Sequence, residues 1–534
     1  MVQKAPWIFG SAIFLGLIFA IVGILLLIGV PIDRIVNNQV LKQDFLGYTK
    51  NENGTEVPNA MTQCWLKPQY KMQLNIWMFN VTNVEGILQR HEKPFLQQIG
   101  PFVFDEIQEK IYHRFAENDT RIFYKNQKLY FFNQNASCAG CDLEKKVTIP
   151  SIVFQKLVDA SEINIAVKFA VEAVLRLVTE APYINVKIRE ALFEGYQDPI
   201  IDLICQNKIL QFLCETNTIQ RRIGFFYKQN GTTDGVYEVD TGVSSPFNIG
   251  KLYTWNNMTI MPEGTWDSKY ARMINGTDGQ LFEPMMKREK RLTIFVSQIC
   301  RSIQMEYTKD VSVSGVPSWR FIPPADLYDP KLPDNRAFCN KDGVPRYFDN
   351  TTIQIVNCLP AGLIDLSRCQ AGSPRVYLSQ PHFYNSPMEL WHAVSGLDIP
   401  SATNDNTYVD LEPVSGVPTQ AKRIVQINIG MVKGSLSIVK NTSNVIVPVL
   451  WMNETALFDN GTREQLLGIF NAKHYSFISG VVSLSLGLIG WLAVFVVIFV
   501  YSRQSEDDEY GRLVLEDDEI GENNESAQTD SLVV

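Results

Sequence analysis

WIFGSAIFLGLIFAIVGILLLIGV, residues 7–30, and FISGVVSLSLGLIGWLAVFVVIFV, residues 477–500, are uncharged apolar runs near opposite ends of a 534-residue chain. Each exceeds the roughly 20 helical residues that a bilayer's hydrocarbon core requires. A cleaved signal peptide competes for the first run, because Lys4 precedes it. The run is longer than a typical signal core and Gly29-Val30-Pro31 is a poor cleavage site, so a retained anchor is expected. For the second run, its length, its lack of charge and the aromatics Trp491 and Tyr501 argue against a buried core helix.

Between the anchors stand eleven Asn-X-Ser/Thr sequons, at Asn53, Asn80, Asn118, Asn135, Asn230, Asn257, Asn275, Asn350, Asn441, Asn453 and Asn460. Such density predicts a glycosylated surface on the lumenal or extracellular side. The reading is a double-pass membrane protein with both termini cytosolic: residues 1–6, a span over 7–30, a large outer domain over 31–476, a span over 477–501 and a tail over 502–534. That topology excludes most soluble enzymes.

The net charge of −9 belongs to the tail, where eleven acidic residues from Glu506 to Asp530 face only Arg503 and Arg512. The outer domain is nearly neutral, so no global field draws it to nucleic acid or another polyanion. All nine cysteines lie in that domain, as suits a disulfide-permitting compartment. The odd count leaves at least one thiol free in a monomer. Cys138-Ala-Gly-Cys141 has the spacing of half a zinc site, but no second close pair completes a tetrahedral set. A local disulfide or two unconnected thiols is the expectation, and no cofactor motif is present.

Short stretches rich in aromatic and branched residues, among them Met72–Phe79, Lys128–Phe132, Leu292–Val296, Ile424–Ile429 and Ile446–Trp451, predict antiparallel strands. A helical region interrupts them at about 161–214. Its polar residues Asn164, Lys168, Glu172, Arg176 and Glu180 recur every fourth position, which makes one narrow polar stripe on a helix and leaves the rest apolar. Further helical pieces are expected over 185–194 and 200–212. A small bundle explains the pattern blandly. The sharper reading is a lipid entrance, with Lys168, Phe169, Glu172, Arg176 and Leu177 as its candidate residues. Cys205 and Cys214 can pair only if the helix breaks near Gln206-Asn207-Lys208, because nine helical residues rise about 13.5 Å.

Ala12, Gly16 and Ala20 in the first span, and Ser479, Ser483 and Gly487 in the second, are small residues at helical spacing. They either join the two spans or drive a homo-oligomer. In the tail, Tyr510-Gly-Arg-Leu513 fits the tyrosine-based signal read by clathrin adaptors. Endosomal or lysosomal sorting is therefore favoured, with the plasma membrane as the alternative address.

Ordered blocks across the outer domain resemble the class B scavenger receptor family. They are NIWMFNVTN (75–83), KPFLQQIGPFVFDE (93–106), LFEGYQDP (192–199), GFFYKQNGTTDGVYEVDTG (224–242), MINGTDG (273–279), ICRSI (299–303), LSQPHF (378–383), YVDLEPVSG (408–416) and VPVLWMNE (447–454). The resemblance implies an α+β ectodomain with an antiparallel β-barrel core, an apical helical bundle and a hydrophobic tunnel toward the bilayer. It implies the bridges Cys300–Cys369 and Cys339–Cys358. A third family bridge is absent, with Ala271 and Ala337 at its two positions. Scavenging members carry basic residues at the apical turn, whereas Thr179-Glu180-Ala181-Pro182-Tyr183 is acidic or apolar here, which argues against polyanion scavenging. No histidine lies between His113 and His382, so none in the apical segment titrates at lysosomal pH.

The function expected is non-enzymatic: binding of fatty acid, sterol or lipoprotein-derived lipid, and passage through a tunnel that spares each methylene about 0.8 kcal/mol of exposure to water. The alternative is a lysosomal structural or integrity protein, or a sorting receptor for a luminal protein. A channel is disfavoured by spans without charge. An ecto-hydrolase is disfavoured by the absence of Gly-X-Ser-X-Gly and His-Glu-X-X-His.

Overall fold

A computed structural model describes residues 5–43, 45–177, 182–216, 220–340, 343–370 and 372–526. It divides into two units, Met1–Gln39 with Leu467–Val534, and Val40–Leu466. The described α-helices begin with α1 (Ala5–Ile28), α2 (Val30–Gln43), α3 (Ala60–Leu66), α4 (Val84–Arg90) and α5 (Ile152–Ser161). They continue with α6 (Ile165–Leu175), α7 (Ile200–Gln206), α8 (Phe212–Glu215), α9 (Met388–His392) and α10 (Asn460–Ser526).

In the first unit two helices are long and apolar enough to cross a membrane, over Gly10–Ile28 and within Asn460–Gln504. Of the small residues read from the sequence, Gly16, Ala20, Ser483 and Gly487 lie at the contact of this pair, and Gly23 joins them. A Cβ on Gly23 would lie 2.6 Å from the Leu484 nitrogen, and one on Gly487 2.8 Å from the Gly16 carbonyl oxygen. The Ser483 hydroxyl donates to the Phe19 carbonyl at 2.9 Å, and the Trp491 indole N–H to the Ile13 carbonyl at 3.3 Å. Close backbone approach and interhelical hydrogen bonds are what hold helices together where lipid offers no hydrophobic drive.

The second unit is built on strands. In chain order they are β1 (Tyr48–Lys50), β2 (Glu56–Pro58), β3 (Lys71–Val81), β4 (Leu96–Ala116), β5 (Arg121–Phe132) and β6 (Lys146–Pro150). Then come β7 (Tyr183–Lys187), β8 (Tyr237–Asp240), β9 (Leu252–Trp255), β10 (Leu292–Val296), β11 (Arg301–Val313) and β12 (Val316–Ile322). The last are β13 (Ile364–Asp365), β14 (Val376–Ser379), β15 (Tyr408–Leu411), β16 (Pro418–Met431) and β17 (Val445–Leu457). Alternation makes them strands: Leu74, Ile76 and Met78 of β3 are 2, 0 and 0% exposed, on the face that packs into the main core.

Thirteen strands form one antiparallel sheet in the order β10-β11-β12-β15-β16-β17-β3-β4-β5-β8-β9, with β14 also on β16 and β13 on β14. This corrects the expected closed barrel. Closure requires the terminal strands to pair, and no ladder joins β9 to β10 among the described residues. Irregular chain fills the seam instead. The Leu252 N–H donates to the Gly276 carbonyl at 2.8 Å, while Thr277 exchanges backbone bonds with Thr293 (3.0 Å) and Phe295 (2.8 Å). Gly276 has φ +88°, and a Cβ there would stand 2.1 Å from the Thr293 oxygen, so only glycine fits. The loop thereby occupies backbone groups on both edges that would otherwise recruit another strand.

Four disulfides join Cys138 to Cys141, Cys205 to Cys214, Cys300 to Cys369 and Cys339 to Cys358, and leave Cys64 free and exposed. Cys205 reaches Cys214 because α7 stops at Gln206 and Asn207 turns extended (ψ 119°), which brings the two Cα atoms to 5.8 Å.

The helical region also needs correction. It begins nine residues earlier than read, at Ile152, and Tyr183–Lys187 is a strand paired with Lys146–Pro150 rather than the start of a helix. The alternation of Ile184 and Val186 with Asn185 and Lys187 fits a pleat, and a ladder partner was at hand. Within that stretch the helix begins only at Ile188 and runs into a π-helical turn over Glu190–Glu194.

Candidate functional site

Helices α5 and α6 start where side chains cap them: the Ser151 hydroxyl accepts from the Phe154 N–H and the Asn164 carbonyl oxygen from the Val167 N–H, both at 3.0 Å. Val153, Phe154, Leu157 and Val158 of α5 pack with Val167, Val171 and Val174 of α6, with Ile200 and Ile204 of α7, and with Leu436 and Val439 from the loop after β16. Polar contacts fasten the module to the sheet. Asp159 pairs with Arg375, and the Gln155 carbonyl oxygen accepts the Val432 N–H at 2.9 Å.

With one face of α6 consumed by this core, the other carries the predicted entrance residues. Phe169, Arg176 and Leu177 are exposed, and Lys168 and Glu172 are half-buried beside them. Ile165 and Phe169 of α6, 64 and 63% exposed and four residues apart, form an apolar stripe alongside the polar one. Ile163 and Leu177, 59 and 73% exposed in the turns just before and after the helix, flank it. Sequence periodicity located the polar stripe and singled out Phe169 and Leu177 but not Ile163 or Ile165. The turn Thr179-Glu180-Ala181 lies outside the described residues. Pro182 and Tyr183 follow as backbone partner of Ser151 and as the buried start of β7.

A second feature lies on one face of the central strands. Lys128 of β5 bridges Glu106 of β4 at 3.0 Å and Glu454 of β17 at 2.5 Å, and Glu454 also pairs with Arg423 of β16. Burial raises the Glu106 carboxyl above its ordinary range, and the Glu454 charge adds to that rise. Burial opposes ionisation of Glu454 too, but Arg423 and Lys128 together hold its carboxyl well below the usual range. Along the same two strands, Phe104 packs on Phe132 (5.4 Å) and on Phe193 (5.0 Å), and Phe193 meets Tyr130 (5.3 Å) and Phe226 (5.4 Å). The strand pairing that puts Phe104 opposite Phe132 puts Glu106 opposite Tyr130, so an aromatic patch adjoins a charged one.

The family-like blocks converge elsewhere. Trp77 stacks on Trp451 at 3.8 Å, the Trp451 indole N–H donates to the Gln98 carbonyl oxygen at 2.8 Å, and His382 lies between Gln98 and Asp405 at 3.2 Å each. Both imidazole nitrogens are committed, to Gln98 of β4 and to Asp405 of the loop before β15, while the ring meets Phe79 of β3 and Trp451 of β17 edge-on, so His382 braces these segments against one another.

Of the sequon asparagines, Asn53, Asn118, Asn135, Asn230, Asn257, Asn275, Asn350 and Asn460 are exposed, whereas Asn80, Asn441 and Asn453 are half-buried. Asn80 and Asn453 lie inside β3 and β17, and the Asn80 side chain accepts the Thr148 N–H at 2.8 Å. Tyr510 and Leu513 fall on the backbone of α10, and their side chains lie outside the described residues.

Comparison with known proteins covers nearly the whole chain. A model of the CD36 family matches residues 14–499. Lysosome membrane protein 2 of Mus musculus is 29% identical over 87% of this chain and 89% of its own length, and that of Homo sapiens is 30% identical with the same coverage. Scavenger receptor class B member 1 of Bos taurus is 27% identical over 93% of this chain and 90% of its own.

Proposed function

Because the chain belongs to the CD36 family, we propose that it is a non-enzymatic double-pass receptor that takes an apolar lipid at the exposed face of α6 and delivers it through the outer domain to the membrane that anchors it. The observation that carries this reading is the stripe of Ile165 and Phe169 on α6, continued by Leu177 in the turn just past its end, each more than 60% exposed beside a helix whose other face is packed. Burying a side chain of this kind is worth about 1.5–3 kcal/mol, so a ligand that covers the stripe gains several such increments. Acyl chains and sterols supply matching apolar surface without requiring hydrogen bonds.

The topology proposed with it places residues 1–6 and 502–534 in the cytosol and 31–476 outside. Tyr510 and Leu513 address the protein to late endosomal or lysosomal membrane through clathrin adaptors. The bridges Cys300–Cys369 and Cys339–Cys358 staple the outer domain, and the sequons glycosylate it.

A second reading has its own support. Lys168, Glu172 and Arg176 alternate in sign beside the stripe, which suits a protein helix laid against α6 better than it suits a hydrocarbon tail. The two are separated by labelling the full-length protein with a photoactivatable fatty acid and a photoactivatable sterol. Label on peptides within 161–214, competed by unmodified lipid, supports lipid entry. Folded protein without label there, combined with stable capture of a luminal protein that Phe169→Asp abolishes, replaces it with the partner-carrier reading.

A further inference from the structure

A cavity of about 30 Å³ lies among the disulfide-stapled loops, walled by Arg301, Tyr328, Phe338, Asn340 and Asp365 and by both halves of the Cys339–Cys358 bridge. Since a water needs about 10–15 Å³ of such space, there is room for one or two particles of that size and none for an acyl chain.

Arg301 is the unusual wall. It opens β11 directly after Cys300, is only 5% exposed, and has its guanidinium over the Phe338 ring at 3.4 Å, with Tyr328 at 5.2 Å. Its Nη2 donates to the Leu327 carbonyl at 3.3 Å and makes a long contact of 3.5 Å with Asn335. Its buried Nε has no acceptor, and among the described residues no carboxylate pairs with it. Burial lowers its pKa to about 10, with Tyr328 and Tyr270 opposing the fall, so it stays cationic at any physiological pH. Aromatic faces attract a cation but supply no lone pair for its N–H groups. A buried charge without a counter-ion is costly enough that structures rarely leave one.

Asp365 shares the cavity, but its oxygens are turned to other donors, the Ser367 N–H at 2.8 Å and the Asn340 amide at 3.4 Å. The side of the cavity next to Arg301 therefore offers unused N–H donors and positive charge.

We infer that this cavity holds a small monovalent inorganic anion of halide size, bound through the Arg301 guanidinium against Phe338. The anion completes the hydrogen bonding of a residue that fixes the start of β11 to the segments 327–340 and 358–365. It is thus a structural ligand for the part of the ectodomain carrying two of the four disulfides. This site does not depend on the lipid reading of α6.

The test uses wild-type full-length protein. Its thermal midpoint is compared in sodium chloride, sodium bromide and sodium gluconate at matched ionic strength, and bromide anomalous scattering is mapped in crystals grown from the bromide solution. The expected result is a saturable rise of several degrees in both halides over gluconate, and a bromide peak within hydrogen-bond reach of Arg301 Nε. Equal midpoints in all three salts, or no peak in that cavity, overturn the proposal and leave water as the occupant. A peak without any rise marks an adventitious ion and overturns it equally. Arg301→Gln, where it folds, is expected to lose the halide dependence.

Discussion

At the scale of single residues, Phe169 and Phe154 are two phenylalanines in one helical module with opposite roles. Phe154 is wholly buried between α5, α6 and α7, whereas Phe169 is 63% exposed. Phe154→Ala is expected to cost about 3–5 kcal/mol through lost burial and the cavity it leaves, seen as a large drop in thermal midpoint and poor yield. Phe169→Asp is expected to change stability by no more than about 0.5 kcal/mol while reducing lipid photolabelling of 161–214 several-fold. Unchanged labelling in the folded variant would remove Phe169 from the entrance. Glu106 carries a different prediction. Its native carboxyl titrates above the ordinary 4.5 because of burial and then of Glu454. Between those values the folded state keeps a proton that the unfolded chain has released, so stability falls as pH rises through that window and returns on acidification. Glu454 acts oppositely, its contribution being present above about 4.5 and lost only as pH falls toward its depressed native value. Glu106→Gln should therefore shrink the gain in thermal midpoint on acidification from neutral toward the ordinary carboxylate range. Part of the gain should survive, because burial raises Asp159 and Asp278 as well. A variant whose profile superimposes on wild type would show that Glu106 does not contribute. The polar stripe of α6 was legible because a four-residue polar period is local. The ionic cluster was not, since Lys128 and Glu454 are 326 residues apart and meet only through the sheet register.

At the scale of elements, the membrane helices give the sharpest contrast. Gly23 abuts the Leu484 backbone, while Gly10 and Gly490 have nothing within 4 Å of an added Cβ. Gly23→Leu should thus push the helices apart and Gly10→Leu should not. The measurement is the yield of a short bis-maleimide cross-link between Ile13→Cys and Trp491→Cys, made in a Cys64→Ser background because Cys64 is free and exposed. A several-fold loss is expected for Gly23→Leu alone, and equal yields would mean that the small-residue face does not set the pairing. Strand elements were read mostly by their centres. Leu292–Val296 was legible to the residue, but Ile424–Ile429 and Ile446–Trp451 are the cores of strands running over Pro418–Met431 and Val445–Leu457. Polar ends such as Gln420, Lys422 and Arg423 look like loop in sequence and become strand because a partner ladder satisfies their backbone. Tyr183–Lys187 was misread for a related reason. A short apolar run fits strand or helix alike until its partner, Lys146–Pro150, is known. The loop at Gly276–Thr277 that fills the seam between β9 and β10 had no local signal beyond the glycine itself.

At the scale of the whole molecule, the proposed topology divides the chain between compartments at its two apolar helices, and glycans report which side each part occupies. If 31–476 is outside, the eight exposed sequons are available to oligosaccharide transfer, while Asn524-Glu-Ser526 in the tail stays bare. Transfer requires an accessible asparagine side chain, and Asn80 and Asn453 sit half-buried within paired strands, Asn80 held in place because its amide oxygen accepts the Thr148 N–H. Mass spectrometry after enzymatic deglycosylation in heavy-oxygen water is therefore expected to mark Asn53, Asn118, Asn135, Asn230, Asn257, Asn275, Asn350 and Asn460 far more than Asn80 or Asn453, and never Asn524. Label at Asn524 would invert the topology and with it the sorting role proposed for Tyr510. With the topology upheld, Tyr510→Ala tests the address. Adaptors read the tyrosine side chain itself, so its loss should move the protein from lysosomal membrane to the cell surface while leaving folding and glycan pattern intact. Retention in lysosomes would show that Tyr510 is dispensable for sorting. Loss from both membranes would point to misfolding, which the glycan pattern of the same sample distinguishes. The outcome also bears on chemistry, because Glu106 is predicted to stabilise the fold on the acid side of neutral. A protein delivered to an acidified compartment gains from that term, and one retained at the cell surface does not.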